Sequence, residues 1–115
     1  MSVLIKRIYE RPSSDDGFRV LVDRLWPRGV SKERAELDDW LKDVAPSPEL
    51  RKWWNHNPET MAEFAVRYRA ELDDNPAIAT LREFIAEHPV VTLLYGAKDP
   101  KVNHALVLQE YLAKK

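Results

Sequence analysis

The first segment of this sequence with side chains suited to chemistry is residues 23–29, which follow a predicted buried strand. Arginine guanidiniums bind a carboxylate or a phosphate through paired hydrogen bonds, and Asp23 could orient one of them. The side chains that we expect to bind a ligand here are Arg19, Arg24, Trp26 and Arg28. This clustering predicts a local anion site. The alternatives are a solvated basic face, or an Asp23–Arg24 pair that only anchors the loop.

The second such segment is residues 95–104, at the end of the clearest predicted strand. We expect Gly96 to allow close approach of a ligand to the backbone, and Asp99 to cap the helix that follows. His104 is then the candidate catalytic acid or base, and the helix dipole would lower its pKa. Asp23 is the second catalytic candidate and, with Asp99, would orient groups in the site. The ligand-binding candidates are Tyr95, Asp99 and Asn103. The alternative for His104 is a partly buried imidazole bonded to a neighbouring backbone or carboxylate group.

Several other kinds of site are excluded or weakly supported. The chain has no cysteine, which removes disulfides, zinc thiolate sites and a cysteine nucleophile. Its three histidines are too widely spaced for a good metal site, and its three glycines cannot build a dinucleotide-binding loop. We therefore expect neither a metal ion nor a cofactor. His56 either faces the same pocket or interacts with solvent at a helix end.

The composition indicates one globular α/β domain, which we expect to span residues 1–115. Hydrophobic residues make up 44% of the chain and charged residues 32%, as in ordinary soluble domains. A net charge of −1 without a basic stripe argues against a nucleic-acid partner. The longest apolar run, residues 90–95, has the length of a strand and not of a membrane span. The lack of cysteine and of a secretory segment favours a cytoplasmic location, and the oligomeric state is left open.

The hydrophobic pattern predicts three strands, over residues 3–9, 18–23 and 90–95. A capping side chain followed by proline predicts helix starts at Ser47, Asn57 and Asn75. Ser31 is expected to cap a short helix that ends near Trp40, and a last helix is expected over residues 101–113.

Strands that alternate with helices favour a small three-layer α/β sandwich, with a mainly parallel sheet flanked by helices. The connection between the first two predicted strands is too short for an ordinary crossover helix. These strands are therefore either antiparallel neighbours or joined by an irregular crossover.

Residues 16–29, 40–47 and 67–68, with Asp99 and Asn103-His104, together resemble the YeaO-like branch of the family called domain of unknown function 488. The resemblance covers nearly the whole chain, and its long first motif is specific. It implies a compact, bacterial-type cytosolic α/β domain. It implies no established activity.

Longer members of this family, by the same resemblance, carry a cysteine at the end of the last strand and a Cys-His-Arg motif at the start of the last helix. The corresponding positions here are Tyr95, Asn103, His104 and Ala105. The histidine is present, but both thiols and the arginine are missing, which argues against thiol or metal chemistry in this chain. We hypothesise that Arg24 and Arg28 supply positive charge from the other loop instead.

Three functions follow from these observations. The first is a pocket for an anionic small molecule, phosphate- or nucleotide-like, at the carboxyl ends of the strands, with or without catalysis. The alternative is a non-catalytic regulatory or protein-interaction module that uses Trp40, Trp53 and Trp54. A DNA-binding regulator has the least support, because the helices after Asn57 and Asn75 mix acidic and basic residues.

Overall fold

The apolar run over residues 90–95 forms the central strand of the sheet in a computed structural model, which describes residues 2–113. The strands are β1 (Ser2–Arg7), β2 (Phe18–Leu21), β3 (Asp39–Trp40) and β4 (Val90–Tyr95). Their order across the sheet is β1-β4-β2-β3, and every neighbouring pair is parallel. A strand with neighbours on both sides and helices nearby is buried on both faces, which explains the unbroken apolar sequence of β4. The predicted parallel α/β fold is confirmed.

The connection from β1 to β2 crosses over β4, so the first two strands are parallel and are not neighbours. Residues 8–17 make this crossover with a single short 3₁₀ helix, Ser14–Asp16. Ser13 caps that helix with a capping box. Its hydroxyl accepts from the Asp15 N–H, and its own N–H donates to the Asp16 carboxylate. The predicted irregular crossover is therefore the correct one of the two alternatives.

The helices are α1 (Lys32–Ala35), α2 (Pro48–Trp54), α3 (Met61–Asp73), α4 (Ala77–Glu87) and α5 (His104–Ala113). Two further 3₁₀ helices are Lys42–Val44 and Pro58–Thr60. Ser47 caps α2 as predicted, with its hydroxyl accepting from Leu50 N–H. Asn57 caps the 3₁₀ turn that leads into α3. Within residues 2–113, no helix combines the length and the apolar character needed to cross a bilayer.

The two faces of the sheet are covered unequally. The larger core lies between the sheet and helices α2–α5, and its most buried side chains include Phe64, Tyr68 and Leu72, which form an apolar stripe along α3. The other face is covered by α1 and the loops around it, where Leu21 and Leu94 pack with partners that include Trp26 and Trp40. The three-layer arrangement is thus present, with one thick and one thin outer layer.

The helix predicted from Ser31 to about Trp40 is wrong in its second half. Ser31 caps α1 as expected, but Glu36 adopts a left-handed conformation with φ of 47° and ends the helix after one turn. The chain then turns so that the Asp38 carboxylate accepts from the Arg19 N–H, and Trp40 pairs with Leu21 as part of β3. Pairing along the free edge of β2 therefore outweighs the helical preference of this short segment.

The last helix begins three residues later than predicted, and a different residue caps it. The Asn103 Oδ1 accepts from the Leu106 N–H at 2.8 Å, so Asn103 is the capping residue of α5. Asp99 instead accepts from the Lys101 N–H within the preceding turn. Capping by Asn103 in place of Asp99 therefore accounts for the later start of α5.

Candidate functional site

A cavity of about 270 Å³ lies at the carboxyl edge of the sheet, beside the loops that follow β2 and β4. Asp23, Arg24, Gly96 and His104 contribute to its wall. Because β2 and β4 are parallel neighbours, these loops emerge side by side, as is usual for ligand sites in open α/β sheets. The volume is that of roughly nine water molecules in the liquid, which suits a small metabolite.

Asp23 connects the two loops. Its Oδ2 accepts from the Gly96 N–H at 2.9 Å, and its backbone carbonyl accepts from the Trp40 indole N–H at 2.7 Å. Its Oδ1 is buried and lies 3.3 Å from the Nε2 of His104. Asp23 therefore ties the end of β2 to the end of β4 and to the start of α5.

The imidazole of His104 is fixed by the backbone. Its Nε2 lies 3.0 Å from the carbonyl oxygen of Val22. Since a carbonyl only accepts, Nε2 carries the hydrogen, and the Nδ1 of the neutral ring holds the free lone pair. Burial lowers the pKa of His104 below its ordinary value, against the raising effects of Asp23 and of the Val22 carbonyl, and Arg51 lowers it further. The neutral ring is therefore favoured near pH 7.

Arg24 extends from its loop along the wall of the cavity. One terminal nitrogen donates to the carbonyls of Ala45 and Pro46, at 3.2 and 3.3 Å. Its Nε is buried and meets no acceptor within residues 2–113. An unpaired buried donor on a charged group is costly and is expected to have a partner in the working state of a protein.

Arg51 and His56 complete the wall from the carboxyl end of α2. Arg51 could not be predicted as a site residue from the sequence, because basic residues are common in short exposed helices. Only the fold brings it to the edge of the sheet. His56 lies at the cavity, as one of its two sequence-based alternatives required. Its ring stacks on Trp54 with a centroid distance of 4.7 Å.

The ligand-binding candidates of the second loop lie around the cavity, not in its wall. Asn103 is fully buried, and its amide donates to the Asp99 carbonyl while its oxygen caps α5. The Tyr95 side chain is 2% exposed in the main core, and burial raises the pKa of its hydroxyl. Asp99 is exposed and lines a shallower neighbouring cavity together with Lys98. The contacts of Asn103 and Tyr95 serve the fold.

Arg19 lies at the opposite end of β2, inside an ion-pair network. Its guanidinium pairs with Asp16 and donates to the carbonyls of Ala35 and Glu36. Lys6 also pairs with Asp16, at 3.1 Å. Burial raises the pKa of Asp16, but the Ser13 N–H and these two cations bring that pKa below its ordinary value. Four residues of extended chain separate Arg19 from Asp23, about 13 Å, so the structure does not bring Arg19 to the cavity.

Trp26 and Arg28 belong to the thin outer layer of the sheet. The indole N–H of Trp26 donates to the Val30 carbonyl at 2.6 Å, and its ring meets Trp40 edge to face. Arg28 is exposed, and its backbone carbonyl accepts from the Tyr9 hydroxyl. Neither side chain lines the cavity.

The tryptophans do not form the shared surface expected for an interaction module. Trp54 is 2% exposed and stacks on Phe64 with a centroid distance of 3.7 Å. Trp40 is half-buried, and its N–H is bonded to Asp23. Trp53 is 42% exposed and lies against the Arg67 guanidinium. Within the described chain, no group of three or more histidine or acidic side chains is placed to hold a metal ion.

The fold and the site define a class: a small parallel α/β domain with a basic cavity at the carboxyl ends of its central strands. A family model described as the inactive DUF488-N3 subclade matches residues 2–115. The chain therefore belongs to the domain of unknown function 488 family, and its similarity to YeaO supports the YeaO-like branch.

Two relatives illustrate the similarity. The uncharacterized protein YeaO of Escherichia coli strain K12 is 43% identical over 112 residues, which are 97% of each chain. The uncharacterized protein Rv3073c of Mycobacterium tuberculosis strain H37Rv is 46% identical over 110 residues, 96% of this chain and 92% of the relative. The comparison with solved structures gave no significant match.

Proposed function

We propose that this chain binds a small anionic molecule with a phosphate or phosphate-like group in the cavity at the ends of β2 and β4, and holds it without transforming it. The observation that carries the proposal is the charge of the cavity wall. Two guanidiniums, of Arg24 and Arg51, face a single carboxylate, and that carboxylate already accepts from Gly96. The excess positive charge and the unpaired Nε of Arg24 suit an anion.

The description of the matching family model as inactive favours binding over catalysis. The chemistry of the wall agrees with it. The chain has no cysteine, and the Nε2 of His104 already donates to Val22, so that only Nδ1 is left for proton transfer. A neutral imidazole in this tautomer can accept a hydrogen bond from a ligand hydroxyl or amine.

Thermal unfolding with a panel of phosphorylated metabolites, nucleotides and inorganic phosphate tests the proposal. A ligand present at a hundred times its Kd is expected to stabilise the fold by about 2.7 kcal/mol, a rise in Tm of roughly 10 °C. Arg24→Met should abolish the rise. Arg11→Met is the matched control, because Arg11 is an exposed arginine after β1, away from the cavity.

Three results would contradict the proposal. The first is that no compound stabilises the wild-type chain. The second is that Arg28→Met abolishes the response while Arg24→Met leaves it intact, which would move the anion out of the cavity. The third is turnover of the bound compound, followed by phosphorus NMR, which would contradict the non-catalytic part alone.

A further inference from the structure

A second cavity of about 280 Å³ runs along one face of α2. The side chains of Arg51, Lys52, Asn55 and His56 contribute to it. Residues three and four positions apart share a helix face, which explains why Arg51 and Asn55 meet there. This cavity shares Arg51 and His56 with the cavity at the sheet edge, so the two adjoin each other at these side chains.

The charge of this second cavity is unbalanced. Arg51 and Lys52 line it, and no acidic side chain of the described residues does. A third cavity, of about 340 Å³, also borders His56 and is lined by Lys98 together with Asp99, so its charges cancel. An anionic group next to the first cavity is therefore better accommodated along α2 than beside Lys98.

Cations near the carboxyl end of a helix also complement its dipole, which would account for Arg51 and Lys52 alone. It does not account for the backbone of His56. Asn55 ends α2 as a left-handed C-cap whose N–H donates to the Arg51 carbonyl. His56 follows it with a second positive φ, of 54°, which histidine tolerates better than most residues but which still costs free energy. That conformation and the stacking on Trp54 hold the His56 ring where both cavities meet.

We infer that the ligand carries two adjacent anionic groups, as in a diphosphate, one beside Arg24 and the other beside Lys52, with Arg51 and His56 contacting both. This inference rests on the proposed function and narrows its ligand class. The two cavities supply three cations, and their one carboxylate, Asp23, is bonded to Gly96. A single phosphate would leave the side chain of Lys52 unused.

Calorimetric titration of the full chain with inorganic phosphate and with pyrophosphate, at matched ionic strength, tests this inference. The wild type is expected to bind pyrophosphate at least about fivefold more tightly than phosphate. Lys52→Ala should weaken pyrophosphate binding by about two- to fivefold and leave phosphate binding nearly unchanged, as expected for one exposed ion pair. Lys98→Ala is the matched control, since it removes the same charge from the neighbouring cavity whose charges cancel. It should weaken pyrophosphate binding less than Lys52→Ala does.

A second variant, His56→Asn, keeps a residue that tolerates the positive φ while removing the imidazole. It should reduce the difference in affinity between pyrophosphate and phosphate without abolishing phosphate binding. Equal affinity for phosphate and pyrophosphate in the wild type would overturn the inference and leave the proposed function standing. Equal losses of pyrophosphate affinity from Lys52→Ala and Lys98→Ala would also overturn the inference, because they would indicate general electrostatic attraction and not a contact with Lys52. Binding of neither anion would overturn the inference, and the proposed function would fall with it if no compound of the thermal-unfolding panel binds either.

Discussion

The backbone N–H of Gly96 donates to the Oδ2 of Asp23 across 2.9 Å, and a Cβ placed on Gly96 would lie 3.0 Å from the same oxygen. This contact joins the ends of β2 and β4 at the point where the cavity opens. A side chain on Gly96 would push this carboxylate aside by a few tenths of an ångström and so disturb the contact between Asp23 and His104. The neighbouring carboxylate therefore favours glycine at this position, since the φ of Gly96 is not positive.

Gly96→Ala is expected to lower the free energy of unfolding by about 1 kcal/mol, because the displaced Asp23 loses its hydrogen bond to the backbone. Urea unfolding of a double-mutant cycle with Asp23→Ala measures the effect. In the Asp23→Ala background the same glycine substitution should cost much less, since no carboxylate stands in the way. Equal costs in the two backgrounds would show that Gly96 is needed for some other reason.

His104 is expected to make stability depend on pH. Burial lowers its pKa in the folded state below the ordinary 6.5, so the unfolded chain binds a proton more readily. The contribution is fully present above pH 6.5 and is lost as the pH falls toward the folded-state pKa. Between pH 8 and pH 5, the His104 contribution to the free energy of unfolding should therefore decrease only once the pH falls below about 7.

Urea unfolding of His104→Gln across this pH range isolates the contribution. Glutamine keeps an N–H that can donate to the Val22 carbonyl but does not titrate. The variant should show a shallower decrease than the wild type. A slope equal to that of the wild type would assign the pH dependence to other groups.

Tyr68 holds the segment that faces Arg24. Its hydroxyl donates to the Val44 carbonyl at 2.6 Å, next to the two carbonyls that accept from the Arg24 guanidinium. Burial raises the pKa of Tyr68 well above its ordinary value, so the hydroxyl remains a donor. Tyr68→Phe is expected to cost about 1–2 kcal/mol, because the buried carbonyl is left without its partner.

The matched control is Tyr111→Phe, which removes an exposed hydroxyl that donates to Asp73. It should change the free energy of unfolding by less than about 0.5 kcal/mol. Thermal or urea unfolding of both variants checks the difference. Similar costs for the two substitutions would contradict a special role for the Tyr68 hydrogen bond.

Much of the fold could be predicted from local patterns. The apolar run of β4, the spacing of four between Phe64, Tyr68 and Leu72, and the Ser47-Pro48 start of α2 each depend on neighbours in the chain. β3 could not be predicted this way. Two residues carry too little pattern, and they become a strand only because β2 offers a free edge.

The residues of the candidate site also fall into those that local sequence indicates and those that only long-range packing decides. Asp23, Arg24 and His104 are predicted to meet because they follow strand ends, and the structure brings them to one cavity. Arg19 is predicted to join them because it is close to Arg24 and Arg28 in the sequence, although four residues of extended strand place it about 13 Å from Asp23. For Asn103 and Tyr95, the sequence cannot distinguish a side chain that binds a ligand from one that is buried in the fold, because elements distant in the chain decide the burial.

The sequence by itself determined the class of fold, the exclusion of cysteine chemistry and the two polar loops, since these follow from residue types and short-range spacing. The tertiary structure decided that β4 lies between β1 and β2, which makes the two loops neighbours. It also decided that Arg51 and His56 meet those loops, although α2 lies far from both in the chain. Local residue spacing does not reveal long-range packing. An apolar face can pack against many partners, and only the assembled core determines which one it contacts.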